Sequence, residues 1–135
     1  LKIDEQEPLL VVVPLSVPQS KKKNFILNLN VYRNAHFFTL NTAKRNFKEA
    51  ILEQVMQLPA LTNIHLEYTL YPKSKRLCDV SNVCCIVDKF FADTLVECGK
   101  LPDDNYKYLA RITYRMGEVD SANPRMEVRI HNHAY

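Results

Sequence analysis

Apolar and polar residues alternate cleanly in residues 63–71. Ile64, Leu66, Tyr68 and Leu70 point one way, and His65, Glu67 and Thr69 the other. A period of two predicts a strand with one buried face. Residues 106–116 repeat the pattern, with Tyr106, Tyr108, Ala110, Ile112 and Tyr114 on one face and Lys107, Arg111 and Arg115 on the other. Residues 125–131 predict a closing strand with Met126, Val128 and Ile130 inward. Residues 9–17 are apolar and β-branched but contain Pro14, which lacks a ladder donor, so this strand is an edge or is interrupted. Residues 24–32 predict a second strand, joined to the first through a basic turn at 18–23.

Two segments follow the helical period instead. In 42–58, Phe47, Ala50, Ile51, Val55 and Leu58 share a face, with Asn41 or Thr42 as cap and Pro59 as terminator. In 80–98 the stripe is Val83, Val87, Phe90, Phe91 and Leu95. Asp79, Ser81 or Asn82 caps it, and Gly99 stops it. The predicted order is β-β-α-β-α-β-β, an α+β (mixed α/β) fold with a mixed sheet of about five strands and two helices. With 135 residues the chain makes one domain, 1–135.

Composition removes several classes. Apolar residues at 47% and charged residues at 24% exclude disorder and low complexity. Gly99 and Gly117 are the only glycines, so there is no Gly-rich phosphate loop. The longest apolar run, residues 9–15, is too short for a membrane span. It follows Asp4, Glu5 and Glu7, where a signal peptide carries positive charge. The expectation is an intracellular chain with no membrane partner. Cys78, Cys84, Cys85 and Cys98 have no metal-ligand spacing and no evident His partner, so they read as reduced thiols rather than ligands or nucleophiles.

The net charge of +3 hides a segregation. Residues 8–48 hold no Asp or Glu but carry Lys21, Lys22, Lys23, Arg33, Lys44, Arg45 and Lys48. Residues 79–104 carry Asp79, Asp88, Asp93, Glu97, Asp103 and Asp104 against Lys89 and Lys100. A basic surface suits a polyanion, and a neighbouring acidic group suits a divalent cation. Asp79 begins a helix and Asp103 and Asp104 follow it, so they meet only if the chain folds back. Carboxylates gathered this way repel unless a cation or proton lies between them. Asp88 is about 10 Å along the helix from Ser81, too far to share one metal with that position. A solvated helix face for Asp88 and Lys89, and a plain turn for Asp103 and Asp104, are the competing readings.

The segment Cys78–Tyr108 resembles the RusA family of phage and bacterial Holliday junction resolvases. That family carries D-x-D-N at a helix start, a Lys and an Asp four apart within the helix, and G-x-x-x-D-D after it. Here Lys89 and Asp93 are four apart and Gly99 leads into Asp103 and Asp104. Asp79-Val80-Ser81-Asn82 matches D-x-D-N with Ser81 at the second Asp, and the gap from Asn82 to Lys89 is about one helical turn longer than in the shortest members. Asn28 to Asn34, with Tyr32 and Arg33 inside, is similar to the family's Asn- and aromatic-rich segment ahead of a basic helix.

The resemblance implies a homodimer that holds branched DNA, such as a four-way junction, on a basic face. It implies two nicks that depend on magnesium, with manganese as the alternative, in the cytoplasm of a bacterial or phage-infected cell. Asp79 and Asp104 would be metal ligands and catalytic, Asp103 an auxiliary acid, and Lys89 the charge-stabilising residue. With Ser81 in place of an acid, Asn82 as a neutral oxygen ligand or Asp88 through a shifted helix would compensate, or activity is reduced. Lys21, Lys22, Lys23, Tyr32, Arg33, Asn34, Lys44, Arg45, Lys73, Lys75 and Arg76 form the expected DNA-binding set. Phe37 and Phe38 either stack on unpaired bases or belong to the core. His131 and His133 read as a frayed tail ahead of a metal site. A non-catalytic module of the same fold, binding DNA or a protein, is the alternative function.

Overall fold

A computed structural model describes residues 7–133, so Asp4 and Glu5 lie outside the described residues. The predicted first strand breaks at Pro14 into β1 (Leu9–Val13) and β2 (Ser16–Ser20). Proline cannot continue the ladder, and the chain changes sheets there. β2 pairs antiparallel with β3 (Lys23–Ile26) as a separate hairpin. The expected second strand therefore ends early. Asn28 accepts the Val31 N–H on its side-chain oxygen at 2.8 Å and starts α1 (Leu29–Asn34). Capping chemistry outweighs the strand-like composition of Leu29–Tyr32.

α2 (Phe37–Met56) begins five residues before the predicted start. His36 caps it, its Nδ1 facing the Phe38 N–H at 3.3 Å. β4 (Ile64–Tyr71), α3 (Val80–Glu97), β5 (Leu109–Met116) and β6 (Arg125–Asn132) complete the chain. Among the described residues the architecture is α+β, with three helices, a mixed four-stranded sheet ordered β1-β6-β4-β5, and the two-stranded hairpin. Of the described strand pairs only β4 and β5 run parallel, and α3 makes the crossover between them.

Register explains the core. Leu66 lies between Ile130 and Ile112, and Tyr68 between Val128 and Tyr114. Every predicted inward residue of β4 and β6 is buried, with Val11 and Val13 beside them. Phe47, Ile51 and Val55 of α2 and Phe90, Phe91 and Leu95 of α3 join them in one cluster, which Phe25 and Leu27 extend. β5 departs from expectation. It starts at Leu109, Tyr106 is 90% exposed outside it, and Ile112 stays 41% exposed. The face assignment of Ile112 and Tyr114 follows the register, but an edge strand has a neighbour on one side only. Among the described residues, no helix is long and apolar enough to cross a membrane.

Candidate active site and nucleic-acid interface

α3 and the loop after it assemble the acidic group. Asp79 caps the helix, and its Oδ1 accepts both the Ser81 N–H at 3.1 Å and the Ser81 hydroxyl at 2.8 Å. Ser81 thus ties the carboxylate of Asp79 to the helix start. Asn82 is exposed in the same turn, its N–H bonded to the Asp79 carbonyl.

The other helix end reverses the chain. Gly99 adopts φ +70°, donates to the Val96 carbonyl, and is followed by Lys100 donating to Leu95. This is a Schellman stop, and glycine takes the left-handed position without strain. Leu101 is buried, and the Lys100 ammonium donates to the Leu58 carbonyl at 2.7 Å, so the reversed segment is anchored. Asp103 then organises the loop. It accepts the Asp104 N–H on Oδ1 at 2.8 Å and the Asn105 amide on Oδ2 at 2.7 Å.

The reversal brings Asp104 within electrostatic reach of Asp88 and Asp93. Asp88 is half-buried and accepts the Tyr68 hydroxyl at 2.6 Å. Burial pushes its carboxyl above the ordinary range, the Tyr68 bond opposes this, and the Asp104 charge adds to the rise. Asp93 is also pushed up, first by burial, with Lys44 opposing and Asp104 adding. Lys89 is exposed, lies 5.9 Å from the centre of the Tyr32 ring, and its charge acts on both Asp88 and Asp93. The acidic convergence is thus Asp88, Asp93 and Asp104, with Lys44 and Lys89 as counter-charges. Asp79 sits nine residues before Asp88, about 13 Å along the axis.

Among the described residues, no three carboxylates lie close enough to form a ready cage. The one trio of His, Cys, Asp or Glu ligand atoms within 4.8 Å of one another is His65, Glu67 and His131. Magnesium does not demand such a cage, since one or two carboxylates plus substrate phosphates hold it. Asp88 and Asp104, each within reach of the other's charge, are the candidates for that mode. Both offer hard oxygens, and the burial and mutual repulsion that raise Asp88 are what a cation would relieve.

The basic residues divide by position. Lys21, Lys22 and Lys23 are exposed at the turn of the β2–β3 hairpin. Arg33 and Asn34 are exposed at the end of α1, while Tyr32 is half-buried edge-on to Phe90, 6.4 Å between ring centres. That contact sets α1 beside the α3 face that carries Lys89. Lys44 and Arg45 are exposed on α2, and Lys73, Lys75 and Arg76 are exposed in the loop leading to Asp79. Phe37 and Phe38 do not enter the core. They are 58% and 66% exposed and lie against one another and His36.

Tyr68 escaped the sequence-based site, and Asp93 was matched to the motif there without a role. Tyr68 carries the right signal for a buried strand residue, but the pairing of its hydroxyl with α3 is a tertiary fact. His131 is not a frayed tail, since β6 runs to Asn132 and the His133 N–H donates to the Asn63 carbonyl at 2.8 Å. Neither the comparison with family models nor that with curated proteins finds a match for this chain.

Proposed function

We propose that the protein is a magnesium-dependent, structure-selective endodeoxyribonuclease that nicks branched DNA, four-way junctions included, as a homodimer. The observation carrying this reading is that the Asp104 charge reaches the half-buried Asp88 and Asp93, on which the Lys89 charge also acts. Together with the resemblance of 78–108 to the RusA resolvases, it supports phosphodiester hydrolysis over a generic interaction surface. Asp88 and Asp104 would hold magnesium, which when bound neutralises phosphate charge and activates water. Tyr68 holds Asp88 in one orientation, and Asp103 fixes the backbone that presents Asp104. Lys89 places a mobile positive charge where a scissile phosphate gathers negative charge. The exposed lysines and arginines of the hairpin turn, α1, α2 and the 72–79 loop provide phosphate contacts, which give affinity rather than sequence choice.

Ser81 favours one second reading. Its hydroxyl occupies Asp79 Oδ1 where the family pattern has another acid, which suits a junction-binding module without cutting. Cleavage of a labelled four-way junction with magnesium or manganese decides between them. Paired nicks that vanish in Asp104→Asn and Asp88→Asn support the nuclease. Salt-sensitive junction binding with no nicks in either metal overturns it in favour of the binding module.

A further inference from the structure

The sheet face opposite the core carries a second cluster, separate from the acidic site. His65 on β4 and His131 on β6 are direct register partners, and Glu67 follows two residues on along the same face of β4. The two imidazoles stack with ring centres 5.0 Å apart and planes at 18°. His131 Nε2 and Glu67 Oε1 are 2.7 Å apart, and His65 Nε2 meets the Thr113 hydroxyl at 2.9 Å. All three residues are half-buried, and one ligand atom from each falls within 4.8 Å of the others.

We propose that His65, Glu67 and His131 form a binding site for a divalent transition metal of the zinc type, clipping β4 to β6. Two imidazole nitrogens and one carboxylate oxygen are the donors such borderline ions take, whereas magnesium prefers oxygen alone. The ladder between the strands fixes the relative positions of all three backbones, so little ordering remains to be done on binding. Ligand atoms at about 2.0–2.2 Å from a tetrahedral ion lie about 3.3–3.6 Å from one another. Side-chain rotation closes the remaining gap. Ligation requires an unprotonated nitrogen, so the His131 ring binds through Nε2 with its proton carried on Nδ1. Thr113 orients the His65 ring from β5. Arg111, the partner of His65 on β5, is the opposing charge and weakens the site without blocking it.

The test uses the full chain freed of metal, with zinc alone as titrant and no DNA, so its result is independent of nuclease activity. Calorimetric titration is expected to show one zinc per chain, and zinc is expected to raise the melting temperature. His65→Gln and Glu67→Gln should each weaken binding more than roughly tenfold, and Arg111→Gln should tighten it. Glu67→Gln preserves side-chain shape, so it remains informative if a histidine variant folds poorly. Cobalt in place of zinc should give a spectrum free of sulfur-to-metal charge transfer. The proposal is overturned by no binding, by affinity unchanged in Glu67→Gln, or by thiolate bands that place the ion on cysteines.

Discussion

Tyr68 donates its phenolic hydrogen to Asp88 Oδ1 across 2.6 Å, joining the centre of the sheet to the middle of α3. Tyr68 is completely buried, and its ring meets Phe91 and Tyr114 edge-on. The contact satisfies a buried hydroxyl and aims a carboxylate outward. Burial and the Asp88 charge push the tyrosine well above its ordinary value, so it stays a donor at every working pH. Tyr68→Phe keeps the packing but removes that donor from a half-buried carboxylate. The expected cost is about 1–3 kcal/mol in urea unfolding, with reduced nicking as Asp88 loses its orientation. Unchanged stability would show that water replaces the bond freely.

The raised pKa of Asp88 makes a signed pH prediction. For a group raised on folding, the stabilising contribution is full below the unfolded value, near 3.8, and is lost as pH rises through the higher folded value. At neutral pH the ionised, half-buried Asp88 therefore destabilises the fold. Asp88→Asn is expected to raise the melting temperature at pH 7 while abolishing metal-dependent nicking. The advantage should shrink to nothing as pH falls below the ordinary carboxylate value. Melting curves across pH check this, and an Asn variant less stable at pH 7 would refute the account.

How much of this arrangement was legible before folding depended on the range of the interactions. The inward positions of β4 and β6 and the α3 stripe from Val87 to Leu95 survive because burial on one face sets them, although Thr69 on the other face of β4 is buried as well and Val83 only partly. The Gly99 stop is local chemistry and was readable too, while the cap was narrowed to Asp79, Ser81 or Asn82 and the structure assigns it to Asp79. The interruption at Pro14 was readable, but the boundaries at 28–37 were not, since Asn28 and His36 redirect the chain through single side-chain bonds. The candidate site was half legible. Asp88, Lys89, Asp103 and Asp104 stand out by charge and spacing. Tyr68, and the trio of His65, Glu67 and His131, depend on which strands become neighbours, which no local pattern encodes.

β1 is an edge strand, and its free side is closed by one side chain. The Gln54 amide of α2 accepts from the Val12 N–H at 2.9 Å and donates to the Val12 carbonyl at 2.8 Å. It occupies the place of a neighbouring strand, and an unpaired edge is a template for association. Leu10 and Val12, 50% and 38% exposed, would make such pairing worse. Gln54→Ala is expected to cost about 1 kcal/mol and to increase concentration-dependent light scattering on warming. Scattering equal to wild type would show that the edge needs no cover.

Gly117 tests a close approach. A Cβ there would lie 2.8 Å from the Tyr71 ring and 3.0 Å from the Thr69 methyl group. Tyr71 cannot easily retreat, because the Arg125 guanidinium sits 4.2 Å from its ring centre on a network with Asp120 and Glu127. Gly117→Ala should destabilise by about 1–3 kcal/mol through overpacking. Tyr71→Ala in the same chain should recover part of that loss. A double-mutant cycle with no coupling would sink the steric account.

The cysteines should react in a fixed order. Cys84 is buried on α3, and burial, aided by the neighbouring Cys85, pushes its thiol up to about 12. Cys85 is half-buried and also pushed up, chiefly by burial. Cys78 is exposed in the loop before α3. The thiolate is the reactive form, so alkylation at pH 8 should reach Cys78 first and spare Cys84 until the fold opens. Mass spectrometry of timed samples reads this directly, and early labelling of Cys84 would contradict its placement in the core.

The hairpin turn offers a test of the proposed DNA binding. Lys21, Lys22 and Lys23 are consecutive and exposed, at a tip that projects from the β2–β3 pair. If each neutralises one phosphate, binding a junction releases the corresponding counterions, and affinity falls linearly in log–log form with salt. Each contact contributes about 0.9 to the slope on duplex DNA. Replacing all three by alanine should therefore flatten the slope by about 2.7, with affinity lost most at low salt. Because these contacts read the backbone, the loss should be equal across junctions of different sequence. An unchanged slope would move the DNA path away from the hairpin, towards α1 and the 72–79 loop, where Arg33, Lys73, Lys75 and Arg76 are the exposed cations.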